Sequence, residues 1–165
     1  MEEKIEKLAD YLVKNLIQNK ETIATMESCT GGLVASEITN ISGASEVLKE
    51  SYITYCNEAK IKCGVSKVII EKFSVYSKET AIEMAKHAAQ KAQANWGIGV
   101  TGQFGRIDPA NPGSNTNEVY YAIYHNQAEI GAWKFIITQE CKRVQKKQMV
   151  VVEILKRIQE NIKYM

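Results

Sequence analysis

The segment TMESCTGG, residues 25–32, sets Ser28 and Cys29 beside the hydroxyl of Thr30 and the glycine pair Gly31–Gly32. Three readings fit these residue types. A serine or cysteine on a strand-to-helix elbow could attack a carbonyl. Free N–H groups opening a helix could cradle a phosphate. The third reading is a tight turn without chemistry, in which glycine relieves backbone strain. A Walker loop is excluded, because the pattern G-x-x-x-x-G-K-[ST] is not present. To act as a nucleophile, a serine hydroxyl needs a base. The two histidines are poorly placed for that role: His87 falls within a long helical pattern and His125 near a hairpin turn. A later segment, YCNEAK, residues 55–60, supplies Tyr55 and Lys60 where a strand gives way to a helix. Lysine is the remaining candidate base, as in Ser–Lys hydrolases.

These segments need elements to hold them. Ile5, Leu8, Ala9, Leu12, Leu16 and Ile17 recur at helical spacing and predict an amphipathic first helix. TIATM (22–26) reads as a buried strand, GGLVASEITN (31–40) as a short helix, and SYITYC (51–56) as a second strand. Asn57 is expected to cap the short helix that follows. KVII (67–70) fits either a strand or a helical turn. Ser77 opens an alanine-rich helix ending near Asn95, and WGIGVTG (96–102) is a buried strand ending at Gly102. Residues 103–117 hold both prolines and read as a loop. EVYYAIYHN and EIGAWKFIIT read as paired strands turning near Gln127, and residues 140–163 as a closing helix. The alternation predicts a three-layer α/β/α sandwich around a mixed, mostly parallel sheet with one antiparallel strand, in a single domain over 1–165. Ligand sites in such sheets lie at the carboxyl ends of the strands, where ESCTGG, YCNEAK and GVTGQFG are expected to converge.

Bulk properties exclude several classes. A chain of 165 residues, 45% apolar and 24% charged, is that of a folded domain with a real core. A net charge of +2 leaves no electrostatic footprint for nucleic acid. No apolar run approaches the roughly 20 residues that span a bilayer, and the acidic N-terminus is unlike a signal peptide. Cys29, Cys56, Cys63 and Cys141 show no C-x-x-C spacing, so no metal site is expected and a reducing, cytoplasmic setting is the default.

ESCTGG, then SGASEVLKESYITYCNEAKIKCGV, then a G-V-T-G strand and a late Lys-Arg pair resemble the C-terminal domain of the CinA (competence/damage-inducible) family. The resemblance covers nearly the whole chain and is densest over residues 27–65. Enzymatic members are nicotinamide mononucleotide (NMN) amidohydrolases, so the resemblance implies hydrolysis of the NMN carboxamide to nicotinic acid mononucleotide and ammonia, with no cofactor and no metal. It implies NMN as the small-molecule partner, without nucleic acid or membrane, and leaves self-association open. Larger members carry a further N-terminal domain for which this chain has no room, which points to a stand-alone form.

Carried over by position, the resemblance makes Ser28 the nucleophile and Lys60 its activator. Ser45 becomes a proton relay and Tyr55 a pocket residue. Thr30 with the Gly31 and Gly32 amides holds the oxyanion or substrate. Gly102 and Arg143 bind the nucleotide. Lys142, Arg143 and Arg106 are all candidates for the phosphate. Two alternatives stand beside this reading: a nucleotide-binding module without turnover, and an amidohydrolase of another small amide. The family's G-x-A-G-P-G-G-like loop reads GVTGQFGR here, with Phe104 inserted, and its glycine-rich approach to the next strand reads GSNTNEVYY. These departures concern the pocket wall and substrate range.

Overall fold

The computed structural model describes residues 1–112 and 115–163. Gly113 and Ser114, which begin GSNTNEVYY, lie outside them. Five strands order as β2-β1-β3-β4-β5: β1 is Ile23–Glu27, β2 Leu48–Ile53, β3 Trp96–Gly102, β4 Glu118–His125 and β5 Ala128–Ile136. β1 runs parallel to β2 and to β3, while β4 is antiparallel to both β3 and β5. β4 is thus the expected single reversed strand of a mixed sheet.

The two faces of the sheet are packed differently. On one side lie α1 (Glu2–Asn19), α2 (Leu33–Thr39) and α7 (Arg143–Ile162). Their apolar stripes, among them Leu12, Leu16, Ile38, Val151 and Leu155, enclose Ile23, Ile98, Val100 and Tyr121 of the strands. On the other side lies α6 (Lys78–Ala92), opened by Ser77, whose side chain accepts from the Thr80 amide as a helix cap. This helix meets the sheet through alanines and glycines. A Cβ added at Gly97 would lie 2.0 Å from the Ala85 carbonyl oxygen, and one at Gly99 would lie 2.2 Å from that of Ala81. The helix backbone therefore rests directly on β3, and only residues without a side chain fit beneath it.

Several boundaries differ from the sequence reading. β2 ends at Ile53 rather than Cys56, because pairing with β1 fixes its register from Ile23↔Leu48 to Glu27↔Ile53. Tyr55 and Cys56 are thereby released from the sheet. Residues 67–70 belong to a helix, α5 (Lys67–Phe73). Asn57 does not cap α4 (Asn57–Lys62): it is the first helical residue, Cys56 is the cap, and the Asn57 side chain donates instead to Asn111 Oδ1 at 3.3 Å.

The chain leaves β1 through α2 and α3 (Ala44–Val47) to reach β2 on one side, then returns through α4, α5 and α6 to β3 on the other. The connections diverge at β1, which opens a crevice at the carboxyl ends of β1 and β3.

Gly99→Ala is expected to lower unfolding free energy by about 3 kcal/mol, since overpacking against backbone cannot be relieved by a rotamer change. Lys7→Ala, which removes an exposed ion pair to Glu3, should change it by about 0.5 kcal/mol or less. Denaturant titration of both variants checks the contrast, and equal effects would refute the close approach.

Candidate active site

A pocket of about 320 Å³ occupies the crevice. Ser28 and Cys29 enter it from the turn after β1, Gly102 and Gln103 from the end of β3, Tyr55 and Lys60 from the β2–α4 segment, and Arg143 from the start of α7. The three segments expected to converge do so.

The turn after β1 is built around a residue the sequence reading passed over. Glu27 is fully buried. One carboxylate oxygen accepts from the Thr30 hydroxyl at 2.6 Å, the Gly32 amide at 3.0 Å and the Val34 amide at 3.1 Å. The other accepts from the Ala35 amide at 2.9 Å and the Thr25 hydroxyl at 3.3 Å. An anion thus occupies the N-terminus of α2, where unpaired N–H groups attract negative charge. Gly31 and Gly32 reverse the chain at φ +64° and +90°, a region open to glycine. The Gly31 amide donates to the Ser28 carbonyl at 3.0 Å.

This corrects one expectation. Thr30 and the amides of Gly31 and Gly32 are committed to the turn itself, and none of the three residues lines the pocket. Neither the Cys29 nor the Thr30 amide donates to another described residue.

Lys60 is buried, with 1% of its surface exposed. Its Nζ donates to the Thr54 carbonyl at 2.7 Å and to Ser28 Oγ at 3.1 Å. Burial, which disfavours the charged form, lowers its pKa from 10.5 to about 8, while electrostatic interactions with Cys29, Cys56 and Asp108 pull it partly back up. The cause is therefore desolvation. A helix dipole is not the cause: α4 is only six residues long, so Lys60 stands in its last turn, where the dipole favours a cation. A nearby arginine is not the cause either.

Cys29 is buried, and the same desolvation, with the Glu27 charge next, pushes its thiol up to about 12. A thiol that keeps its proton is a poor nucleophile and a good packing group. Cys29 belongs to the core cluster beneath α1 and α7.

Ser45 is not at the site. It is exposed and lies in α3, before the amino end of β2, whereas the pocket lies beyond the carboxyl ends of the strands. A six-residue strand separates the two by roughly 20 Å. Lys142 precedes α7 as its cap and does not line the pocket, but Arg106 and Arg143 do. Arg143 donates to the Phe104 carbonyl at 2.8 Å and to the Tyr55 hydroxyl at 3.1 Å. Its guanidinium also stands over the Phe104 ring. Phe104 itself is buried, so the departing loop is anchored in the core and forms the pocket wall.

The histidines are elsewhere. His125 stacks on Trp96 and contacts Glu21 at 2.8 Å, at the opposite end of the sheet. His87 lies beside Glu83 on α6. The residues missed by sequence reasoning are Glu27, Tyr76 and Asp108. For Asp108 a signal existed in the turn-forming run Asp-Pro-Ala-Asn.

Comparison with known proteins agrees with this architecture. Residues 5–162 match the CinA C-terminal domain. A CinA-like protein of Kosmotoga olearia is 44% identical over 122 residues, covering 73% of this chain and 29% of that protein. A relative in Alkaliphilus metalliredigens named for competence-damage induction is 42% identical over 145 residues, 84% of this chain and 34% of that one. The chain thus spans about a third of the length of these curated relatives. The crystal structure of competence/damage inducible protein CihA from Agrobacterium tumefaciens superposes with a TM-score of 0.82 at 28% identity, covering 94% of this chain and 93% of that one. A CinA superfamily protein of Klebsiella pneumoniae, 19% identical, shares the fold with a TM-score of 0.89 over 98% and 99% of the two chains.

Because Lys60 has a lower pKa folded than unfolded, its burial destabilises the native state at neutral pH. Between about pH 8 and 10.5 the unfolded chain holds the extra proton, so stability rises with pH. Lys60→Met is expected to be more stable than wild type at pH 7, by up to about 3 kcal/mol. The gap should close near pH 10.5. Denaturant unfolding of both proteins at the two pH values checks this, and a gap independent of pH would show that burial does not depress the pKa of Lys60.

Proposed function

The chain belongs to the CinA C-terminal domain family, and from that premise we propose that it hydrolyses the carboxamide of NMN by acyl transfer through Ser28. The observation that carries the reading is the buried Lys60 amine 3.1 Å from Ser28 Oγ in a pocket wall. A lysine near pH 8 exists partly as the free amine at neutrality, which is the form that accepts a proton.

In the first step Ser28 Oγ attacks the carboxamide carbon as Lys60 takes its proton. The Thr54 carbonyl holds the amine on line from behind. Direct transfer across 3.1 Å replaces the relay assigned to Ser45. Of the turn amides, that of Cys29 belongs to a residue lining the pocket and is the donor left to hold the oxyanion, and one such donor is worth about 100- to 1000-fold in rate. The lysine ammonium then gives its proton to the departing nitrogen, which leaves as ammonia. A water, deprotonated by the same amine, attacks the acyl carbon, and the ammonium returns that proton to Ser28 Oγ as the acid leaves. At the outer end, Arg106 and Arg143 are the cations for the nucleotide phosphate. Arg143 retains N–H donors beyond those given to Phe104 and Tyr55.

The purified chain should release ammonia from NMN in preference to nicotinamide, nicotinamide riboside or NAD. Binding of NMN without ammonia would favour a module that has lost turnover, and release from another amide would favour a different amidohydrolase. Ser28→Ala should abolish release while NMN still binds, and Cys29→Ala should keep it within about tenfold. The reverse pattern would reassign the nucleophile.

Single-turnover release should rise with pH through about 8, the limb on which Lys60 loses its proton. Lys60→Ala should lose that limb and about 100-fold or more in rate. Lys60→Arg should not restore it, because guanidinium stays protonated. A near-normal Lys60→Arg rate would show that position 60 supplies only charge.

A further inference from the structure

The pocket holds a second charged group that the acyl-transfer steps leave unused. Asp108, half-buried in the loop after β3, lines the same cavity as Ser28 and Lys60. Its Oδ2 accepts from the Tyr76 hydroxyl at 2.9 Å and from Asn111 Nδ2 at 2.7 Å, and its Oδ1 accepts from the Ala110 amide at 3.0 Å. All three donors are neutral. Asp108 makes no ion pair among the described residues, although Arg106 and Arg143 line the same pocket. The Asn111 hydrogen bond, first among several, holds its carboxyl below the ordinary value, so it is ionised at neutral pH. The charge is therefore fixed in place but left without a close counter-ion.

We propose that Asp108 is the specificity-determining charge of this pocket, selecting carboxamides borne on a positively charged pyridinium ring over the same amides on a neutral ring. The inference rests on the amidohydrolase reading above and names the feature of the substrate that the site reads.

Three observations support it. First, the cluster is braced against the helix that carries the base: Asn57 at the start of α4 donates to Asn111 at 3.3 Å, so the carboxylate and Lys60 are held on one framework. Second, a carboxylate accepts about four hydrogen bonds and three are used, which leaves a lone pair and the full negative charge for a ligand. Third, the half-buried Tyr76 lines the pocket with Asp108, and the face of an aromatic ring attracts a cation. When Lys60 is in the neutral form that the reaction needs, it no longer offsets Asp108. The arginines supply the opposite sign for a phosphate. The cavity is thus matched to a zwitterion with a cationic ring and an anionic tail, which NMN is.

The test compares NMN with its reduced form, whose dihydropyridine ring is neutral but which keeps the amide, ribose and phosphate. Calorimetric titration on the Ser28→Ala protein avoids turnover. That protein should bind NMN about tenfold more tightly than the reduced form. Adding Asp108→Asn should weaken NMN binding by about tenfold and leave the reduced form within about twofold, erasing the preference. The asparagine retains an acceptor for Tyr76, and circular dichroism checks the fold. Should that variant not fold, the N-methylnicotinamide cation against neutral nicotinamide on the Ser28→Ala protein decides the matter through the same preference. Equal affinity for the two rings, binding of neither nucleotide, or a preference that survives Asp108→Asn would overturn the proposal. A preference for NMN in a wild-type chain that releases no ammonia would support charge selection and overturn the amidohydrolase reading instead.

Discussion

The Glu27 carboxylate is the constraint on which the site depends. It gathers two hydroxyls and three backbone amides, and so ties the end of β1 to the first turn of α2. A buried ion is stable only when its hydrogen-bonding capacity is filled, and here the donors come from the turn that must be shaped. The glycines let the chain fold back on the carboxylate, and Ser28 is left at the outer side of the bend. The order of residues in ESCTGG then has a physical meaning. The acid organises the turn, the serine faces the pocket, the cysteine packs inward, threonine and the second glycine donate to the acid, and the first glycine closes the turn on the Ser28 carbonyl.

The second half of the site follows from a different economy. Lys60 belongs to a helix of six residues and is buried with a carbonyl and a hydroxyl as its side-chain hydrogen-bond partners. An amine buried this way gives up part of its affinity for a proton, and the domain gives up stability at neutral pH to hold it there. No carboxylate forms an ion pair with it among the described residues; a close anion would restore the proton. Asp108 sits in the same pocket, yet its hydrogen bonds come from neutral partners.

Much of this was readable from the sequence, and the failures have physical reasons. Helix and strand order follow from apolar periodicity, and β3 and α6 fall nearly where the pattern puts them. Ser28 and Lys60 meet because each follows a parallel strand at the same end of the sheet. Ser45 precedes β2 rather than following it, and a strand's length then carries it to the far end. Sequence proximity to Tyr55 and Lys60 gave no warning of that. The glycine amides were assigned to a ligand because the buried Glu27 that claims the Gly32 amide, and the Ser28 carbonyl that claims the Gly31 amide, could not be seen to do so. The length of α4 decided the sign of the dipole at Lys60, and helix ends are the least legible feature of a sequence. Asp108 and Tyr76 stand 32 residues apart in segments without periodicity, and only the folded chain joins them.

The seat of α6 on β3 has a consequence for motion. Helices that slide over a sheet do so on side chains that can exchange rotamers. Beneath α6 there are none at Gly97 and Gly99, and the helix carbonyls stand where a methyl group would be. Translation of the helix would drive backbone into backbone, so α6 and the central strands move as one body. The geometry between the β1 turn and the end of β3 is thereby insulated from shear on that face, and adjustment to a ligand falls to the segments that enter the pocket from outside the sheet.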